Sequence, residues 1–336
     1  MASPHGSAHN VSLRGDLHGK ATVHWPRPCD GCSGQHRVGG SAGARYKNFY
    51  RGSPHIERNQ PGQPHRGKVL AAIQPHCDDV PIYAGGTVLK LIKEGYTGIL
   101  IRTSNDKMAG AGKTMGEVVL NNERDTFEVA RRMGLGKIFD LNYRNHRMDD
   151  ISHIEMRARL VFIFRLMKVD TILCYDPWGH YEENPDHYVT AQCVEAACWM
   201  AGGEWDFPEH FEAGLKPHAV REKYYFARGP QLVNRVVDIS SYIDEKVHVN
   251  VANVTQGPAG KTGSRLRARL ARENRRLPIL GNDDDTADRE YIKHFVCDDN
   301  ADLGKLYGLD YVEAFHYIGP RESAAENYIS ENAVAL

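Results

Sequence analysis

Apolar residues fall along this chain in two alternating textures. Residues 69–73 form a continuous apolar run too short for a helix, and over 82–94 apolar positions return every three or four residues until Gly95 closes the pattern. The couplet then repeats, with strands over 98–103, 137–141 and 171–175 and helices over 115–133, 151–168 and 187–201, the first of these closed by Gly134. Strand and helix in regular succession predict an α/β class: a doubly wound, mostly parallel, Rossmann-like sheet with helices on both faces. Past residue 202 aromatic residues and prolines (Trp205, Phe207, Pro208, Phe211) mark a lid or substrate-facing segment. Alternating patterns around 220–226 and 235–238 then predict C-terminal edge strands, with a helix over 240–254 and a last strand over 311–318.

The flanks read differently. Residues 1–67 are rich in Gly, Pro, Ser, Arg and His without a period of 2 or 3.6, and are expected to form a flexible, dispensable tail ahead of a single domain over 68–320. Cys29 and Cys32 have the spacing of half a zinc knuckle, and no second such pair follows. Residues 261–285 mix arginines with an acidic run and read as a solvated insertion, and 321–336 as a polar, frayed C-terminal tail.

Bulk properties narrow the setting. The chain has 336 residues, enough to bury a large core, and a formal net charge of -1, which gives no electrostatic footprint for nucleic acid. No apolar run is long enough to cross a membrane and no apolar leader is visible, so a cytoplasmic protein is expected, with self-association into a homo-oligomer left open. Seven cysteines, scattered through core-like segments, argue for reduced thiols.

Two of the predicted strand-to-helix junctions carry unusual chemistry. Gln74-Pro75-His76-Cys77-Asp78-Asp79 follows the first strand, at the kind of position where α/β sheets bind ligands. Taken alone, His76 reads equally well as a hydrogen-bonded loop histidine, and Asp78 or Asp79 as a helix N-cap. The second junction, within 174–199, places Asp186 and His187 at the next helix entrance in the same way. If both strand ends share one sheet edge, His76, Asp79 and His187 make a set of two histidines and one carboxylate, which leaves coordination positions open for water.

With these motifs the chain resembles the zinc-dependent N-acetylglucosamine de-N-acetylases, the LmbE-like or PIG-L-like family, whose motifs are His-Pro-Asp-Asp-Glu and His-Pro-Asp-His. Within it the nearest likeness is to the diacetylchitobiose deacetylase branch. Leu141-Asn142-Tyr143-Arg144, Tyr175-Asp176-Pro177-Trp178, Leu215-Lys216-Pro217-His218 and Val237-Asp238-Ile239 extend the similarity over 68–317. The resemblance implies a Zn2+ cofactor held by His76, Asp79 and His187, with Asp78 as the base and Asp186 as the carboxylate that steadies an imidazole. It also implies a small N-acetylated amino sugar as substrate, hydrolysed at its amide.

The chain departs from the family pattern in several places. Cys77 replaces the proline and Val80 the glutamate of the first motif, and Asn253-Val254-Thr255-Gln256 stands for the family's His-x-Ser-Gln. A substrate-contacting arginine of the second helix is Asn122 here, with Arg124 nearby, and the first histidine of the second motif is Asn184. Asparagine donates a hydrogen bond but transfers no proton. His180, on the same loop as His187, is the preferred replacement, ahead of His146. A non-catalytic or repurposed carbohydrate-binding relative is the competing reading. An iron oxygenase with the same triad is expected on a β-rich fold instead.

Overall fold

The structure, a computed structural model, describes residues 53–320 and 323–334; residues 1–52, including Cys29 and Cys32, lie outside them. Strand β2 (Val69–Gln74) reads Val-Leu-Ala-Ala-Ile-Gln and is buried nearly throughout, as a strand covered on both faces must be. It lies parallel between β3 (Thr97–Ser104) and β5 (Thr171–Tyr175). With β1 (His55–Glu57), β4 (Leu135–Tyr143), β6 (Glu222–Phe226), β7 (Arg235–Asp238) and β8 (Val312–Ile318) it forms an eight-stranded sheet in the order β1-β7-β8-β6-β5-β2-β3-β4. Only β8 runs antiparallel to its neighbours, β6 and β7.

Helices α1 (Asp79–Lys93), α2 (Met115–Met133), α3 (His153–Met167), α4 (Pro185–Met200) and α5 (Ile243–Asn250) flank the sheet. Among them α1, α2 and α5 pack together, and α3 packs on α4. Their ends follow local chemistry. The Thr114 side chain accepts from Glu117 N to start α2, and Gly134 ends it at φ 74°, a left-handed conformation that glycine adopts without a Cβ penalty. The strand and helix alternation read from the sequence is therefore the architecture, and it brings the carboxyl ends of β2 and β5 side by side.

Two expectations about the flanks are corrected. The flexible tail does not run to residue 67, because β1 pairs in parallel with β7, taking the edge beyond the C-terminal strands. Glu57 of β1 is buried and accepts from Lys90 Nζ at 2.9 Å, Arg235 NH1 at 2.6 Å and Tyr224 OH at 2.9 Å. A strand of three residues shows no period, and its single glutamate reads as solvated until its partners are known. The stretch 261–285, expected as a solvated insertion, is folded and partly packed. It folds as α6 (Thr262–Arg272), a 3-10 turn (Pro278–Leu280) and the start of α7 (Asp284–Tyr291), packed over buried Leu270, Leu280 and Ala287, with Arg267 half-buried and Arg265, Arg269, Arg272, Arg275 and Arg276 exposed. Beyond 320, Ala324–Asn332 is a helix capped by Ser323 with no buried residue.

Candidate active site

The first motif is wound tightly at the end of β2. The Gln74 side chain accepts from Val80 N at 3.1 Å, and Asp79 Oδ2 accepts from His76 N at 2.8 Å, so Asp79 braces its own turn. Asp78 occupies the N-cap position of α1 but its side chain makes no capping bond, which leaves that carboxylate uncommitted. In the second motif Asn184 is the N-cap of α4, its side chain accepting from Asp186 N, with Pro185 in the first turn. This folding turns Asp186 and His187 inward, both buried.

The two motifs meet. His76 Nδ1 and His187 Nε2 lie 3.0 Å apart, and Asp79 reaches both, Oδ2 at 3.4 Å from His76 Nδ1 and Oδ1 at 3.6 Å from His187 Nε2. One ligand atom from each of the three residues lies within 4.8 Å of the others. The outer nitrogen of each ring faces a carboxylate: His76 Nε2 is 3.0 Å from Asp186 Oδ2, and His187 Nδ1 is 3.1 Å from Glu182 Oε1. Each outer nitrogen therefore carries the hydrogen, and in the neutral rings both inner nitrogens turn lone pairs toward Asp79. Two imidazole lone pairs and a carboxylate facing one another make a donor set that suits a divalent cation with open positions. The Tyr175 hydroxyl donates to Asp79 Oδ1 at 2.7 Å, and its ring stacks on His187 at 4.1 Å between centroids.

Electrostatics agree with that geometry. Burial lowers the proton affinity of His76, yet the Asp79 and Asp186 carboxylates outweigh it and hold the imidazole well above its ordinary range. Burial opposes ionisation of Asp79 too, and the two imidazoles override it, bringing its carboxyl to about 2. A proton and a cation compete for the space between the rings, so cation binding displaces that proton. For Asp78 the balance is reversed: burial, then the Asp79 charge, push it up to about 7, in the range of a general base.

A cleft of about 290 Å3 opens over these groups, lined also by Tyr83, His146, Arg228 and Gln256. Gly257, at φ 82°, crosses directly over Asp78, and a Cβ there would collide with Asp78 Oδ2. Asn184 lines the cleft as expected. Asp186 lies behind His76, and three further expected site residues stand away from the cleft. The His180 side chain is exposed, with its ring beside Tyr181, because its backbone is tied away from the cleft by a bond from N to Pro230 O at 3.0 Å; His146 is the free imidazole in the cleft. Asn122 is fully buried and donates to Asp106 O, Ala109 O and Val118 O, organising the loop after β3. Arg124, two residues on and so on the other side of α2, is exposed and lines a different cleft with Lys261 and Arg265. Cys77 is buried between Asn122 and Gln256 rather than among the ligands.

Sequence reading missed Glu182, Arg228 and Asn145. Asn145 Nδ2 donates to Asp186 Oδ2 at 2.9 Å, and Arg228 grips Glu182. For Glu182 the available signal was an acidic pair just ahead of the second motif. Arg228 stands outside both motifs and carried no signal.

A family model described as PIG-L, GlcNAc-PI de-N-acetylase, matches residues 71–198, the span that contains the triad, Asp78, Glu182 and Asp186. The chain carries a PIG-L family domain. At the level of the family this is a deacetylase domain, a hydrolase of carbon–nitrogen bonds. The chain is 28% identical over 197 residues to a diacetylchitobiose deacetylase of Thermococcus kodakarensis, covering 57% of this chain and 71% of that one. The crystal structure of the N,N'-diacetylchitobiose deacetylase from Pyrococcus horikoshii matches with a TM-score of 0.58 and 23% identity, over 75% of this chain and 84% of that one. GalB, the 4-carboxy-2-hydroxymuconate hydratase of Pseudomonas putida, matches with a TM-score of 0.53 and 15% identity, over 76% and 98% of the two chains. These structural likenesses show the fold. A hydratase on the same fold means that chemistry has to be argued from the site.

Proposed function

We propose that the PIG-L domain of this chain hydrolyses the N-acetyl amide of a small N-acetylglucosamine-containing molecule, with one Zn2+ at His76, Asp79 and His187. The observation that carries this reading is the convergence of two carboxylate-oriented imidazoles and Asp79 beside the uncommitted carboxylate of Asp78. When bound, the metal polarises the acyl carbonyl and acidifies water. Asp78 takes the proton of the attacking water and returns it to the amide nitrogen as the carbon–nitrogen bond breaks. Asp186 and Glu182 hold the two rings in the tautomer that faces inward. Tyr83, His146 and Arg228 line the space a sugar ring would enter.

The competing reading, a binding protein without turnover, draws on Asn184, whose amide is engaged at both ends. Oδ1 accepts from Asp186 N at 3.0 Å and Nδ2 reaches His187 Nε2 at 3.3 Å. The intact ligand set and base favour catalysis. A screen for free-amine release over N-acetylglucosamine derivatives, with zinc present, separates the two: release of amine is expected, whereas saturable binding without release would establish the binding protein.

A further inference from the structure

Among the described residues lining the cleft, Arg228 is the one permanent cation. It stands on the link between β6 and β7 and is gripped from one side, Nε donating to Glu182 Oε2 at 3.1 Å and NH2 to Glu182 Oε1 at 2.6 Å. A guanidinium has five N–H groups in a rigid fork, and no described residue accepts from Arg228 NH1. Its side chain remains 36% exposed, so the free edge is available to a group that enters the cleft. The same Glu182 oxygen faces His187 Nδ1 at 3.1 Å, so one carboxylate fixes a guanidinium and a ligand imidazole relative to each other. Asn184, where the family pattern has a histidine, is uncharged, and its Oδ1 is committed to Asp186 N at 3.0 Å.

We propose that Arg228 is a catalytic residue of the amide hydrolysis proposed above, donating from its free edge to the acyl oxygen as negative charge develops there, with Glu182 as its positioning residue. In the first step the water oxygen bonds to the carbonyl carbon, the C=O π pair moves onto oxygen, and the water proton passes to Asp78. In the second step that pair re-forms C=O, the carbon–nitrogen bond breaks, and the proton moves from Asp78 to nitrogen, leaving a free amine and a carboxylic acid that ionises. Arg228 exchanges no atom and no electrons. A guanidinium stays charged throughout, so it stabilises the oxyanion without joining the proton transfers, which fall to Asp78.

The inference rests on the deacetylase reading, and its test keeps the two apart. Wild type, Arg228→Lys and Arg228→Ala are compared for amine release, with bound zinc measured on the same samples. Arg228→Ala is expected to lose about a hundredfold or more in kcat, the scale of one oxyanion donor, with a smaller change in KM and unchanged zinc. Arg228→Lys is expected to recover part of the loss, and added guanidinium to raise turnover of Arg228→Ala but not of Asp78→Asn. Wild-type kcat in Arg228→Ala, a loss of activity matched by loss of zinc, or failure of both lysine and guanidinium to restore turnover would each overturn the role of Arg228 and leave the deacetylase reading standing. Absence of amine release from the wild type itself would strike the deacetylase reading and this inference together.

Discussion

Among the buried charged clusters of the described residues, two follow opposite plans. Beneath β1, Glu57 and Glu94 are answered by Lys90 and Arg235, with Lys90 Nζ 2.9 Å from both acids and Arg235 NH1 2.6 Å from Glu57. In and behind the cleft lie Asp78, Asp79, Glu182 and Asp186, and the one permanent cation lining the cleft, Arg228, pairs with Glu182 alone among them. Uncompensated charge taken out of water costs several kcal/mol per ion. The first cluster closes upon itself and ties β1 to α1, while the second holds more carboxylates than permanent cations. Buried charge alone therefore does not mark the functional site. What marks it is the imbalance, together with lone pairs aimed at one point.

The comparison can be broken from either side. The largest effect is expected from Asp78→Asn, which leaves the ligands in place and should cost at least about a hundredfold in kcat at full zinc content, the usual scale of general base catalysis. A metal-replete variant with near wild-type turnover would remove Asp78 from the mechanism. In the balanced cluster, Glu57→Gln should destabilise the fold by about 3 kcal/mol, as removal of one partner from a buried pair does, without changing bound zinc. A chain starting at Gly67, which loses β1 entirely, should fall at least as far, and an unchanged melting temperature would show that β1 adds no stability.

Acid sharpens the contrast. Burial of Glu57 opposes its ionisation, but Lys90 and Arg235 outweigh this and hold its carboxyl below the ordinary 4.5. Its contribution to stability is thus fully present above the unfolded value and is lost as pH falls through the folded one. Denaturant melts of Glu57→Gln should lose less stability than wild type between neutral and acidic pH; parallel losses would mean that Glu57 gains nothing from its partners. The smallest effect is expected from His180→Ala, whose side chain faces away from the cleft. Its kcat should match wild type, and a fall of tenfold would bring the loop of His180 back into the site.

Legibility in the sequence followed the range of the interactions. The parallel sheet was readable because each of its central strands is a local apolar run and each helix closes on a local signal such as Gly134. The triad was readable because both motifs gather their ligands at a helix entrance that follows a strand of the sheet. Arg228 was not, since its pairing with Glu182 joins loops 46 residues apart, and the acidic pair ahead of the second motif does not by itself name a distant partner. Asn122 misled for a related reason. Its place in a motif suggested substrate, but two of the three carbonyls it bonds, Asp106 O and Ala109 O, are supplied by the folded loop after β3.

Zinc titration of the chelator-stripped chain bears most directly on the imbalance in the cleft. Wild type is expected to take up about one equivalent of Zn2+ that His187→Ala does not, with amine release from N-acetylglucosamine derivatives returning in step with that equivalent. Equal zinc uptake by wild type and His187→Ala, or amine release that persists in the fully stripped chain, would contradict a metal-assisted site at His76, Asp79 and His187.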